Sequence, residues 1–191
     1  MANTYLRQTR GTASNEKNYT VSVWFKRSKI GTNQYLYYNY YDGDYRGYCL
    51  IQPADTLYFY DLYTGSTQVN FSSTRNLRDT NAWYHLVVQG DSTQTTSTDR
   101  FKVFLNNEQL TNSAASPAYP TLNNGLGYQF DSTTNNSCIG AFSYDGNSAN
   151  ASSFFDGSMS HFHHIDGTTY APTEFGEYDA NGVWKIKTSP S

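Results

Sequence analysis

The chain has 191 residues, enough for one domain with a sizeable core. Charged residues make up only 15% of it, the formal net charge is −3, and no block of Lys or Arg occurs, which excludes a phosphate-gripping surface and with it a nucleic-acid partner. No apolar run approaches the length of a membrane span, so no membrane partner is expected either. Eighteen Tyr, with abundant Thr, Ser, Asn and Gly and few Glu, favour half-buried pleated surfaces and turns, an all-β composition.

The N-terminal MANTYLRQTRGTASNEK is polar and lacks an apolar h-region, so it does not read as a signal peptide. Over residues 19–26, Tyr19, Val21, Val23 and Phe25 alternate with Thr20, Ser22, Trp24 and Lys26, which predicts a strand with one buried face. Trp24 breaks the polar pattern of the other face, as expected where that face is partly covered. The tyrosine-rich stretch 35–63 predicts three short strands, with turns at Asp42-Gly43-Asp44 and Pro53-Ala54-Asp55.

Residues 83–89 are apolar on both faces and read as a central strand. A polar loop follows at 91–99, then a strand with Phe101, Val103 and Leu105, closed by an Asn106-Asn107 hairpin. Residues 111–137 read as a long loop with one short strand near 128–130. Strands are predicted at 138–142 and 154–165, and one helical turn at Pro172. The expected core is Val21, Val23, Phe25, Leu86, Val88, Phe101, Val103, Leu105, Ile139 and Ile165.

Five phrases in this order resemble laminin-G-like, concanavalin A-like domains: YTVSVWFKRSK, the Trp83-x-His85 strand, RFKVFL running into Asn106-Asn107, Ile139-Gly140, and a last strand opening FFDG. The likeness covers roughly residues 19–178. Asn107 stands where that family usually carries Gly, and Asn tolerates the same left-handed backbone. The resemblance implies an antiparallel β-sandwich jelly roll over residues 1–180, with 181–191 a C-terminal tail or the start of a linker. It also implies a binding or structural surface rather than an enzyme.

The ending FFDGSMSHFHHIDGTTYAPTEFGEYDANGVWKIKTSPS is similar to that of laminin-G-like proteins from marine tailed bacteriophage virions. It implies a virion location after assembly in the host cytoplasm, other phage virion proteins as partners, and a homo-oligomer, a trimer in the case of a fibre. Two roles stay open. One is a tail-fibre or appendage module adhering to host-surface glycans. The other is a capsid decoration or head-fibre protein making subunit contacts without binding glycans.

Sugar rings stack on aromatic rings while Asn and Asp take the hydroxyls. Tyr38, Asn39, Tyr40, Tyr41, Asp42, Asp44, Tyr45 and Tyr63 supply that chemistry, and the same tyrosines suit subunit contacts. Asp42, Asp44, Asp145 and Asn147 could offer oxygens to Ca²⁺, the one cofactor considered, although plain turns use the same residues. Of His161, His163 and His164, the first two share a strand face and could ligate Zn²⁺ or Fe²⁺ if a third ligand came from a neighbouring strand or a symmetry mate. Hydrolysis would need paired carboxylates across a cleft, and Glu174, Glu177 and Asp179 follow the last long strand beside a turn instead. No serine-nucleophile elbow or phosphate loop occurs, so no catalytic residue is assigned. Cys49 and Cys138 read as reduced core thiols.

Overall fold

The computed structural model describes residues 4–9, 11–129, 136–143 and 151–188. Among these, strands β1 (Leu6–Thr9), β2 (Asn18–Arg27), β3 (Gln34–Tyr40), β4 (Arg46–Ile51), β5 (Leu57–Tyr63), β6 (Ser66–Ser72), β7 (Tyr84–Asp91), β8 (Phe101–Leu105), β9 (Glu108–Gln109), β10 (Asn136–Ile139) and β11 (Gly157–Asp166) form two antiparallel sheets. The first runs β1-β10-β3-β4-β5-β6 and the second β11-β2-β7-β8-β9. A separate hairpin joins β12 (Gly176–Tyr178) to β13 (Trp184–Ile186), after a 3₁₀ turn at Pro172–Glu174.

The period-two pattern turns one row of each sheet inward. Val21, Val23 and Phe25 of β2 stand opposite Val88, Leu86 and Tyr84 of β7, and meet Leu36, Ile51, Phe59, Val69 and Phe71 of the other sheet. Asn106 and Asn107 both adopt positive φ, 50° and 69°, so the β8–β9 hairpin turns without the family's glycine. Eight of the ten expected core residues are buried; Ile139 and Ile165 are only half-buried. A register shift in β11 between Ser160 and His163 sets Ile165 opposite Thr20 on the outer face and turns His164 inward. Ile139 lies between the edge strand β1 and Tyr37, at the open side of the sandwich.

Residues 127–129 form a turn, not the expected strand; Phe130 lies outside the described residues. The cause is side-chain capture. Asp61 accepts the backbone N–H of Gly127 (2.6 Å) and Tyr128 (2.8 Å), and Asn39 donates to the carbonyls of both. Gly47 lets this turn close on the sheet, since a Cβ there would sit 2.4 Å from that of Tyr128.

Residues from 181 on, expected as a tail or linker, include strand β13, which pairs with β12 and folds back on the second sheet. The indole of Trp184 donates to Nδ1 of His85 at 3.0 Å, and His85 stacks on Trp24 at 4.5 Å. Gln89 donates to the Tyr170 carbonyl, and Thr20 bonds both Thr168 and Tyr170. The C-terminal segment therefore covers much of the outer face of the five-stranded sheet, and the buried Trp24 is explained.

Cys49 and Cys138 are free and buried. Cys49 faces the core opposite Tyr37, whereas Cys138 stands opposite Tyr38 on the other face. With β3 between their strands they are roughly 9–10 Å apart and point opposite ways, which forbids a disulfide. Burial pushes both thiols up, more strongly at Cys49. Neither should react with a thiol-specific reagent in the folded protein, and both should react in urea; fast labelling of Cys49 without denaturant would contradict this packing.

Candidate functional site

The hairpins β3–β4 and β4–β5 align their tyrosines across the outer face of the six-stranded sheet. Tyr38, Tyr48, Tyr60 and Asn70 lie in one row; Tyr35, Leu50, Tyr58 and Ser72 lie in another. A third row holds Tyr40, Arg46, Leu62 and Thr67. The rings touch throughout: Tyr38–Tyr48 at 5.6 Å, Tyr48–Tyr60 at 5.6 Å, Tyr35–Tyr48 at 5.5 Å and Tyr48–Tyr58 at 6.2 Å. Phe142 caps Tyr35 and Tyr38 from one side.

Tyr48, Tyr58 and Tyr60 are half-buried, so each keeps part of its ring open. Burial pushes the hydroxyls of Tyr35, Tyr38, Tyr48 and Tyr58 up, keeping them protonated as hydrogen-bond donors. Tyr60 shares a hydrogen bond with Thr67 Oγ1 at 3.2 Å.

The residues singled out from the sequence divide among three places. Tyr38 and Tyr40 belong to the outer face, but both are buried beneath their neighbours. Asn39 points inward; it holds the 127–128 turn and accepts a bond from Ser137, so it is a structural group and not a sugar contact. Tyr41, Asp42, Asp44, Tyr45 and Tyr63 gather at the rim where the β3–β4 and β5–β6 turns meet. Tyr45 packs edge-on against Tyr41 and Tyr63, and the Tyr63 hydroxyl donates to Glu16 at 2.6 Å. One carboxylate oxygen of Asp42 accepts the N–H groups of Asp44 and Tyr45, and the Asp44 carbonyl accepts that of Gly65.

No third His, Cys, Asp or Glu joins Asp42 and Asp44 among the described residues. Asp145 and Asn147 lie outside the described residues. The histidines do not converge either. His161 bonds Ser160, His164 bonds Gln129, and the rings of His161 and His163 are 6.5 Å apart. Glu177 pairs with Lys185 and Asp179 caps the β12–β13 turn, so these carboxylates serve the hairpin.

Sequence reasoning missed Tyr35, Arg46, Tyr48, Tyr58 and Tyr60. Their signal was register: two tight turns of known length set Tyr38, Tyr48 and Tyr60 side by side.

A cavity of about 620 Å³ opens elsewhere, lined by Tyr5, Lys29, Asn33, Phe154 and Asp156 among others. Its rings are engaged with one another: Tyr5 packs on Phe154, and Phe155 packs on Phe25. No helix of the described residues is long and apolar enough to cross a membrane.

A sandwich of this topology, with one face closed by the C-terminal segment and the other lined by tyrosines, has the architecture of a lectin-like domain. The laminin G family model of the concanavalin A-like lectin/glucanases superfamily matches residues 2–169, and the chain belongs to that superfamily. No curated protein sequence matches it. Solved structures share the fold at low identity. Mouse laminin α1 domains LG4-5 superpose with a TM-score of 0.59 at 11% identity, covering 86% of this chain and 40% of theirs. The CBM40 of the Ruminococcus gnavus IT-sialidase, bound to α2,6 sialyllactose, gives 0.52 at 14%, covering 83% and 80%. Domain 4 of the Geobacillus stearothermophilus arabinanase AbnA, in complex with arabinotriose, gives 0.51 at 15%, covering 82% and 63%.

Proposed function

We propose that this protein is a non-catalytic, lectin-like module that binds glycans through the outer face of its six-stranded sheet. The observation that carries the reading is the cluster of open rings at Tyr48, Tyr58 and Tyr60. Sugars present C–H faces that desolvate well on such rings, while protonated hydroxyls and Asn70 take the sugar oxygens. Similar folds that carry sialyllactose or arabinotriose support the reading by analogy of fold.

We place the module on a tail fibre or appendage of a bacteriophage particle, where it attaches to host-surface glycans. That placement rests on the likeness of the C-terminal ending to those of phage virion proteins. Density for this chain at the tail supports it; density spread over the capsid lattice favours decoration.

The binding test is a glycan array probed with wild type and with Tyr48→Ala/Tyr60→Ala. Removing two stacking rings should weaken any glycan contact about five- to 150-fold, at about 0.5–1.5 kcal/mol per ring, while the thermal transition stays cooperative. Binding left unchanged in the double variant contradicts the site. Absence of glycan binding together with self-association through the same tyrosines favours the subunit-contact role.

A further inference from the structure

The outer tyrosine face carries Arg46 among its rings, while Arg7 stands at the edge strand β1, in register with Cys138 and Tyr38. Arg46 lies in the β4 row between Tyr40 and Leu62, with its guanidinium carbon 5.7 Å from the centre of the Tyr60 ring. It is half-buried, and its charge reaches the hydroxyls of Tyr35, Tyr38 and Tyr48, where it works against the upward push of burial. Among the described residues no carboxylate lies within ion-pair distance of it, and none of its five N–H donors is bonded. The acidic side chain of the neighbouring β5 row, Asp61, points to the opposite side of the sheet and is spent on Gly127 and Tyr128.

A guanidinium on an apolar aromatic surface loses part of its hydration. A carboxylate held against the fork would return it, and among the described residues none faces it. An anion of planar, two-oxygen geometry, joined to a group able to stack on Tyr48 and Tyr60, would complement this surface.

Resting on the glycan-binding reading above, we propose that the ligand is an acidic glycan, a sugar bearing a carboxylate, held by Arg46 while its ring stacks on the adjacent tyrosines. The guanidinium fork matches the two carboxylate oxygens, and the surrounding rings lower the local dielectric and strengthen the pair. Tyrosine hydroxyls beside the fork serve as further donors to the carboxylate.

The test uses matched pairs: a uronic-acid oligosaccharide against its carboxyl-reduced neutral form, and sialyllactose against lactose, titrated calorimetrically into the intact protein. At least one acid should bind wild type tenfold or more tighter than its neutral partner, with the preference shrinking as salt rises. Arg46→Met, which keeps an apolar stem beside Tyr60, should bind acid and neutral forms about equally and so lose the preference. Arg46→Lys, which keeps the charge without the fork, should retain only part of it, and serves if the Met variant folds poorly. Equal affinity for acid and neutral forms, or a preference that survives Arg46→Met, overturns the proposal. If neutral sugars bind and are lost in the Tyr48/Tyr60 variant, the glycan-binding reading stands without the acidic specificity. If no sugar binds at all, both fall.

Discussion

Asp61→Ala should lower the unfolding free energy by about 3 kcal/mol, read as a shifted urea midpoint. The carboxylate is buried and is the hydrogen-bond acceptor for the N–H groups of both Gly127 and Tyr128. Removing it strands two buried donors, each costing about 1–3 kcal/mol when no water replaces the partner. It also frees the turn that closes over Gly47 and seats Tyr128 among Tyr19, Tyr37 and His164. Asp61→Asn should recover less than half of the loss, because its amide can accept from only one of the two donors. A loss below 1 kcal/mol for the alanine variant would mean that the turn is not held this way.

Acidification should reveal two opposed slopes. Burial pushes the Asp61 carboxyl up to about 7, against the pull of its two N–H bonds. Between the unfolded value near 4 and that folded value the native state holds the extra proton, so Asp61 stabilises the fold as pH falls and loses this as pH rises. His85 works the other way. Burial, helped by the charge of His163, pushes it down to about 3. The indole N–H of Trp184 occupies Nδ1, so the ring proton sits on Nε2, toward Ser22.

A second proton on His85 would have to face the Trp184 donor. Below about pH 6.5 the unfolded chain takes up that proton and the native state does not. Stability then falls by about 1.4 kcal/mol per pH unit on acidification. Over pH 4.5–6.5 the two effects oppose each other in the wild type, with His163, also pushed down by burial, adding to the His85 side. Asp61→Ala should therefore turn acid-labile at close to the full His85 slope, and His85→Gln should instead gain stability as pH falls. Parallel, flat pH profiles for all three proteins would contradict both assignments.

Much of the fold is legible in the sequence where one physical cue dominates. Strict alternation at Tyr19–Phe25 and Phe101–Leu105 places strands and core together, and paired Asn residues announce a tight hairpin. The reading fails where tertiary partners replace local pattern. Gly127 and Tyr128 bond to side chains of distant strands, so a stretch that looks like a strand becomes a turn. The β11 register shift reverses the roles of His164 and Ile165 without altering composition. The polar strands β1 and β6 carry no strong period, and Trp184 gains its meaning only from His85, 99 residues away.

The site was half legible for the same reason. Tyrosine density marks the right sheet, but density alone does not say which rings face out. Asn39 follows Tyr38 by one residue and therefore points to the other side. Arg46 becomes informative only when its row and its lack of an acidic neighbour are both known.

The most direct test of a glycan-binding tyrosine face is a titration of ring resonances. Tyrosine-selective ¹³C labelling, with assigned ring signals, would be followed by NMR as an array-positive glycan is added. The expected result is that Tyr48, Tyr58 and Tyr60 shift together and saturably, while Tyr19 and Tyr37 in the core stay still. Shifts confined to Tyr5, beside the cavity at Lys29 and Asp156, would place the sugar elsewhere and contradict the assignment of this face.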